Sequence, residues 1–361
     1  MTEGLHPGRH GLHNASAGPP GRAAGRNPPL AVPPPPGCPT LGDVTDQQTD
    51  QQTDQQTDQQ ASGRVVVTGA AGKLGRVVVA DLAAHGWSVL ALDRARPAGT
   101  PDGWSPPPPG AVEFVAVDLA DHGQVLESLG GGVDEHGGTV DAVVHLAALP
   151  APGLVPNSAT FANNVTVTWN VFNAARAHRI RRVVWASSET VLGLPFDVPP
   201  PYVPVDEEYR VRPESTYSLV KALEEELAHH LCRWDPQLSM TGLRFSNVME
   251  PQDYAAFPSF DADPRLRSWN LWAYIDARDG AQAVRLALAR ALPGLEIFVI
   301  ANADTVMSRR SADLVAEVFP GVEVRRELGE HETLLCIDKA RRLLGYEPEH
   351  SWRAEVPPSG A

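Results

Sequence analysis

Val67-Thr68-Gly69-Ala70-Ala71-Gly72-Lys73-Leu74-Gly75 lies between an apolar, strand-like run, Arg64-Val65-Val66-Val67, and a helix-like segment. In that setting Gly69 permits a tight turn, Gly72 admits a pyrophosphate close to the backbone, and Gly75 lets the helix pack against the strand. The helix N-terminus then presents free N–H groups and a partial positive charge to phosphates. A glycine pattern alone equally describes a glycine-rich turn. The context is Asp93, 24 residues after Gly69 and at the end of a second apolar run at 88–92, where an acidic side chain accepts hydrogen bonds from an adenosine ribose. Gly69, Gly72, Lys73, Leu74, Gly75 and Asp93 are therefore candidate dinucleotide-binding residues.

The 361 residues suffice for one large α/β domain or two smaller ones, and 42% apolar content can build a full core. A formal net charge of −14 argues against tight nucleic-acid binding, which needs clustered Lys and Arg. Cys38, Cys232 and Cys336 are odd in number, far apart and without C-x-x-C spacing. Neither a disulfide framework nor a metal site is expected, and a reducing cytoplasm fits. A run of about 18 apolar residues to span a bilayer is lacking, as is the apolar core of a signal peptide, so no membrane partner is expected.

Residues 1–62 are rich in Pro and Gly and then repeat Thr-Asp-Gln-Gln four times over 45–60. With few apolar side chains to offset ordering entropy, this extension is expected to be disordered. From Gly63 onward strand-like runs at 64–67, 88–92, 112–117, 142–146, 182–186 and 240–244 alternate with helical patterns at 73–85, about 123–129, about 161–177 and 216–232. Such alternation predicts a Rossmann-type α/β fold, a doubly wound parallel sheet covered on both faces, with a small C-terminal substrate domain. The expected division is an extension at 1–62, a dinucleotide-binding domain at 63–244, a substrate-binding region at 245–356 interleaved with that core, and a tail at 357–361. Residues 95–110 read as a surface excursion. Val220, Leu223, Leu227 and Leu231 form an apolar stripe at helical spacing, suited to the core or to a homodimer face.

Tyr217 and Lys221 stand four residues apart, hence one turn apart on one helix face. A phenol near pKa 10 is a poor base at neutral pH, and a neighbouring ammonium favours the phenolate, bringing Tyr217 toward working range. Ser187 and Ser188 end a strand at the carboxyl edge of the sheet, where ligands of open α/β sheets bind. A serine hydroxyl there can hold a substrate oxygen beside Tyr217.

Across about 63–352 the chain resembles the extended short-chain dehydrogenase/reductase family of NAD-dependent sugar epimerases, dehydratases and dehydrogenases. The resemblance rests on Thr68 to Gly75, Asp118-Leu119, His145-Leu146-Ala147-Ala148, Asn164 to Asn170, Ser187-Ser188, Tyr217 with Lys221, and Arg244-Phe245-Ser246-Asn247-Val248. It implies NAD as cofactor, Ser188 as the catalytic serine, Tyr217 as the acid/base, and Lys221 as its tuner and a ribose contact. It further implies adenine contact at Asp118 and Leu119, and a surface near the pyrophosphate and nicotinamide ribose at Leu146, Ala147 and Ala148. Asn164 matches a helix asparagine read as mainly structural. His145, His229 and His230 lack metal-ligand spacing and are read as structural.

Two departures from the family pattern bear on the substrate. Leu192 stands where the family usually has a tyrosine. Only 25 residues separate Val248 from Tyr274, about half the length usual in nucleotide-sugar enzymes, so a small substrate is expected. Glu250-Pro251-Gln252-Asp253-Tyr254 resembles a segment of uronate dehydrogenases, although Ala255 replaces an arginine that meets the sugar acid there. Arg265 or Arg267 could supply that charge, a solvated basic pair being the plainer reading. The resulting expectation is an NAD-dependent oxidoreductase acting on a hydroxyl of a sugar or sugar acid, with a nucleotide-sugar 4-epimerase or dehydratase as the alternative. A non-catalytic NAD(P)-binding regulator is the reading from another class, and intact Ser188, Tyr217 and Lys221 argue against it.

Overall fold

A computed structural model of the chain describes residues 63–96, 110–130 and 138–356. The 1–62 extension, most of the 95–110 excursion and the 357–361 tail lie outside the described residues.

The chain alternates strand and helix through β1 (Arg64–Thr68), α1 (Lys73–Ala84), β2 (Ser88–Asp93), β3 (Val112–Ala116), α2 (His122–Leu129), β4 (Ala142–His145), α3 (Asn157–Ala177) and β5 (Arg182–Ser188). A short strand β6 (Tyr202–Val203) precedes α4 (Thr216–Trp234) and β7 (Ser239–Phe245). Then come the short β8 (Val248–Met249), two 3-10 segments at Pro251–Ala262 and Pro264–Asn270, β9 (Ile275–Asp276), α5 (Ala277–Arg290) and β10 (Gly294–Ile300). The remainder is α6 (Ser311–Val318), β11 (Glu323–Val324), α7 (Asp338–Leu344) and α8 (Trp352–Glu355).

Seven strands form one parallel sheet in the order β10-β7-β5-β4-β1-β2-β3, with β1 paired to both β2 and β4. The chain runs outward from β1 to β3 and then restarts on β1's other side at β4. That reversal opens a crevice at the carboxyl ends of β1 and β4, where open α/β sheets bind ligands. Six of the strands lie where the sequence predicts them. The seventh, β10, is a strand the region after Phe245 returns to the sheet, in register with β7.

Burial on both faces explains the unbroken apolar strands. Side chains alternate across a strand, so Val65 and Val67 enter one core with Val78 and Leu82 of α1, whereas Val66 enters the other with Phe172 of α3 and Trp185 of β5. The stripe predicted on α4 is divided: Val220 and Leu231 are buried, while Leu223 is exposed. Beyond β7, pairing of β8 with β9 brings Val248 opposite Ile275. The intervening 3-10 segments pack a core of Tyr254, Phe257, Tyr274 and Trp352, with neighbouring ring centroids 5.3–6.0 Å apart.

Candidate active site

Gly69 ends β1 in a left-handed turn, φ +71°, which only glycine adopts without strain. A Cβ there would also lie 2.6 Å from the Ala147 amide nitrogen, so the loops after β1 and β4 are in close contact. Gly75 sits on the first turn of α1, where a Cβ would fall 2.0 Å from the Gly69 carbonyl oxygen. The turn is therefore cradled by backbone alone, and Gly72 caps α1 without a side-chain hydrogen bond. Asp93 closes the loop's other side: one carboxylate oxygen accepts from Ala71 N–H at 2.9 Å and the other from Arg94 N–H at 2.7 Å. A backbone cradle at a helix N-terminus beside a held carboxylate fits a dinucleotide.

The residues assigned to cofactor binding and catalysis in the sequence come together around one cavity of about 660 Å³. Gly69, Gly72, Lys73, Leu74, Gly75 and Asp93 line one end, Asp118 and Leu119 stand beside them, and Leu146, Ala147 and Ala148 follow along the β4 edge. Ser188, Tyr217 and Lys221 line the same cavity. Two asparagines of α3 fix its wall. Asn164 accepts from Leu149 N–H and donates to Leu149 C=O, and Asn170 donates to the carbonyls of Leu119 and Ala120.

Tyr217 owes its position to the start of α4. Ser215 and Ser218 form a reciprocal capping box, which begins the helix one residue before the phenol. Lys221, one turn on, donates to Ala186 C=O at 2.7 Å and to Glu224 Oε2 at 2.9 Å. Ser188 Oγ accepts from Thr190 N–H and Thr190 Oγ1–H, so its own proton is free to favour a Tyr217 phenolate. Burial nonetheless holds the Tyr217 phenol above its ordinary value; Lys221 pulls downward without overcoming it, and Glu224 and Glu189 push upward. Lys221 thus acts in the expected direction, and burial, which the sequence does not show, outweighs it.

Around the site stand Glu189 and Glu225, which the sequence does not single out, and Leu192, Arg265 and Arg267, which it does. Glu189 follows Ser188 and lines the cavity; burial pushes its carboxyl up to about 7, against hydrogen bonds from Ser246 and Asn270 and the charge of Arg267. Arg267 is buried, with its guanidinium carbon 5.4 Å from the Phe260 ring centroid and 4.9 Å from that of Trp269. It is thus not half of a solvated pair, whereas Arg265 is exposed beside Asp263 and Glu317. Glu225 binds Arg244 through two hydrogen bonds and accepts from Ser187 at 2.6 Å. Leu192 is fully buried in the core. Two ion pairs join the dinucleotide loop to the segment after β8: Lys73 with Asp253 at 2.7 Å, and Arg76 with Glu250.

The sequence model of the NAD dependent epimerase/dehydratase family matches residues 65–301. The UDP-glucose 4-epimerase of Drosophila melanogaster is 29% identical over 223 residues, covering 58% of this chain and 59% of that protein. The match thus spans about three fifths of that relative's length. A solved UDP-galactose 4-epimerase is 27% identical, with a TM-score of 0.57 over 81% of this chain and 96% of its own. A mutated uronate dehydrogenase, 23% identical, shares the fold with a TM-score of 0.55 over 82% and 89% of the two chains.

Proposed function

This chain belongs to the NAD dependent epimerase/dehydratase family, and from that footing we propose that it is an NAD-dependent dehydrogenase oxidising a hydroxyl of a free sugar or sugar acid. The size of the cavity carries this reading. About 660 Å³ is the volume of a single-ligand pocket, and the dinucleotide stretch from Gly69 to Ala148 supplies 13 of the 32 residues that line it. The compact turns of 250–273 close the far end with Trp269, which supports a monosaccharide-sized substrate over one carrying a second nucleotide.

Bound in the backbone cradle, NAD would supply the hydride acceptor. Asp93 would hold the adenosine ribose and Lys221 the ribose nearest the reaction. Ser188 would keep the substrate hydroxyl within reach of Tyr217, and Tyr217, as the phenolate that Lys221 and Ser188 favour, would take that proton. A UDP-sugar 4-epimerase is the second reading, supported by the 29% and 27% identities to such enzymes.

Sugars, uronic acids and nucleotide sugars offered with NAD, followed by absorbance of the reduced cofactor, test the choice. Net NADH with a free sugar or sugar acid is the expected result. Interconversion of UDP-glucose and UDP-galactose without added NAD and without net NADH would overturn it.

A homodimer through α3 and α4 belongs to the same proposal. These helices pack together and leave Phe161, Trp169, Leu219 and Leu223 exposed, an apolar face suited to a second copy. A cytoplasmic location is supported by the free thiols of Cys232 and Cys336. No helix among the described residues is long and apolar enough to cross a membrane.

A further inference from the structure

Lys221 is paired with a carboxylate buried as deeply as itself. Lys221 is 3% exposed and Glu224 2%, and the ammonium sits 2.9 Å from Glu224 Oε2. A buried ion pair is favourable only where further hydrogen bonds satisfy its remaining atoms. Here they do: Glu224 Oε1 accepts from Thr168 Oγ1–H at 3.0 Å, Thr168 Oγ1 lies 3.1 Å from His145 Nε2, and His145 Nδ1 lies 2.7 Å from Thr68 Oγ1. Burial holds His145 neutral, its pKa pushed down to about 3. Because Thr168 spends its proton on Glu224, it must accept from Nε2–H, which leaves Nδ1 to accept from Thr68. One direction of donation therefore runs from the last residue of β1, beside the glycine turn, across β4 and α3 to Glu224 on α4.

We propose that Glu224, held by the Thr68–His145–Thr168 chain, is a positioning residue that fixes the Lys221 ammonium beside Tyr217 and offsets its charge. The proposal rests on Tyr217 and Lys221 being the reacting pair. Other charged groups face this pair as well. Glu225 on α4 is committed to Arg244 of β7, Glu189 faces Tyr217 from the turn after β5, and His145 faces Lys221 from β4 without charge. Glu224 raises the pKa of both Lys221 and Tyr217, so it delays proton loss from the pair as pH rises.

Near-ultraviolet titration of phenolate tests this without substrate. The absorbance that Tyr217→Phe removes is the Tyr217 signal, recorded once with Glu224 intact and once in Glu224→Gln. Loss of the buried negative charge should bring the Tyr217 phenolate in at a pH lower by about one pH unit or more. If Glu224→Gln does not fold, Glu224→Asp, whose shorter side chain draws the charge away from Lys221 and Tyr217, should give a smaller displacement in the same direction. An unchanged or higher titration in the folded variant overturns the proposal. A merely structural role would alter melting without moving the titration. A failed substrate screen leaves the titration standing, so failure of the dehydrogenase reading is told apart from failure of this one.

Discussion

Tyr217 is the residue on which the proposed chemistry turns, and its replacement separates binding from reaction. Tyr217→Phe removes one hydroxyl at a position 7% exposed and leaves the glycine cradle and Asp93 in place. NAD affinity measured by titration should be nearly unchanged, while turnover falls by roughly two orders of magnitude or more, as for loss of a positioned acid/base. Retention of most activity would remove Tyr217 from the reaction. The cavity's residues were legible because each belongs to a short local pattern: glycines at turn spacing, an acid at a strand end, a phenol and an amine one turn apart. Glu189 and Glu224 were not, and Arg267 was named without its burial, since burial is what sets all three apart. Glu224 stands three residues after Lys221, a spacing that allows a helical pair, but three adjacent glutamates read as a solvated face until packing buries two of them.

At the scale of elements, the tightest steric constraint is the crossing of α1 over the turn after β1. Gly75→Ala would set a methyl 2.0 Å from the Gly69 carbonyl, and both partners there are backbone. The expected cost is about 1–3 kcal/mol of stability. NAD binding should also weaken by roughly tenfold or more, the equivalent of about 1.4 kcal/mol. Calorimetry and cofactor titration check both, and wild-type values would show that the turn has room. Strands β1, β2, β4, β5 and β7 could be read because apolar runs buried in a parallel sheet are continuous in sequence, and β3, half-exposed at the sheet edge, from its Val, Phe and Val residues. β10 carries an apolar run as well, Ile297 to Ile300, behind a half-exposed start of Gly294-Leu295-Glu296 at the sheet edge. The 3-10 segments carry prolines and no apolar period; Tyr254 and Phe257 are placed by contact with Tyr274 and Trp352, far along the chain.

For the molecule as a whole, the segment leading into α8 is fastened to α5 by Asp279. This buried carboxylate accepts from the backbone N–H groups of Glu349 and His350 and lies 2.7 Å from His350 Nδ1. The hydrogen bond to Asp279 raises the pKa of His350 above its ordinary 6.5. Its stabilisation is thus fully present below about pH 6.5 and is lost as pH rises through the higher folded value. His350→Ala should lower the melting temperature more at roughly pH 6 than at roughly pH 9. An equal loss at both would mean that the pair does not titrate with folding. A different long-range tie joins the dinucleotide loop to the segment after β8. Lys73 serves the dinucleotide loop yet is spent on Asp253, and the same carboxylate oxygen accepts from the Glu250 N–H. A pyrophosphate bound at α1 would compete for that ammonium and loosen the tie to the turn at 250–253. Cofactor should arrive first and release the turn at 250–253 for the sugar, visible as faster hydrogen exchange at the Glu250 and Asp253 amides with NAD alone. Exchange unaffected by NAD would make the two arrivals independent.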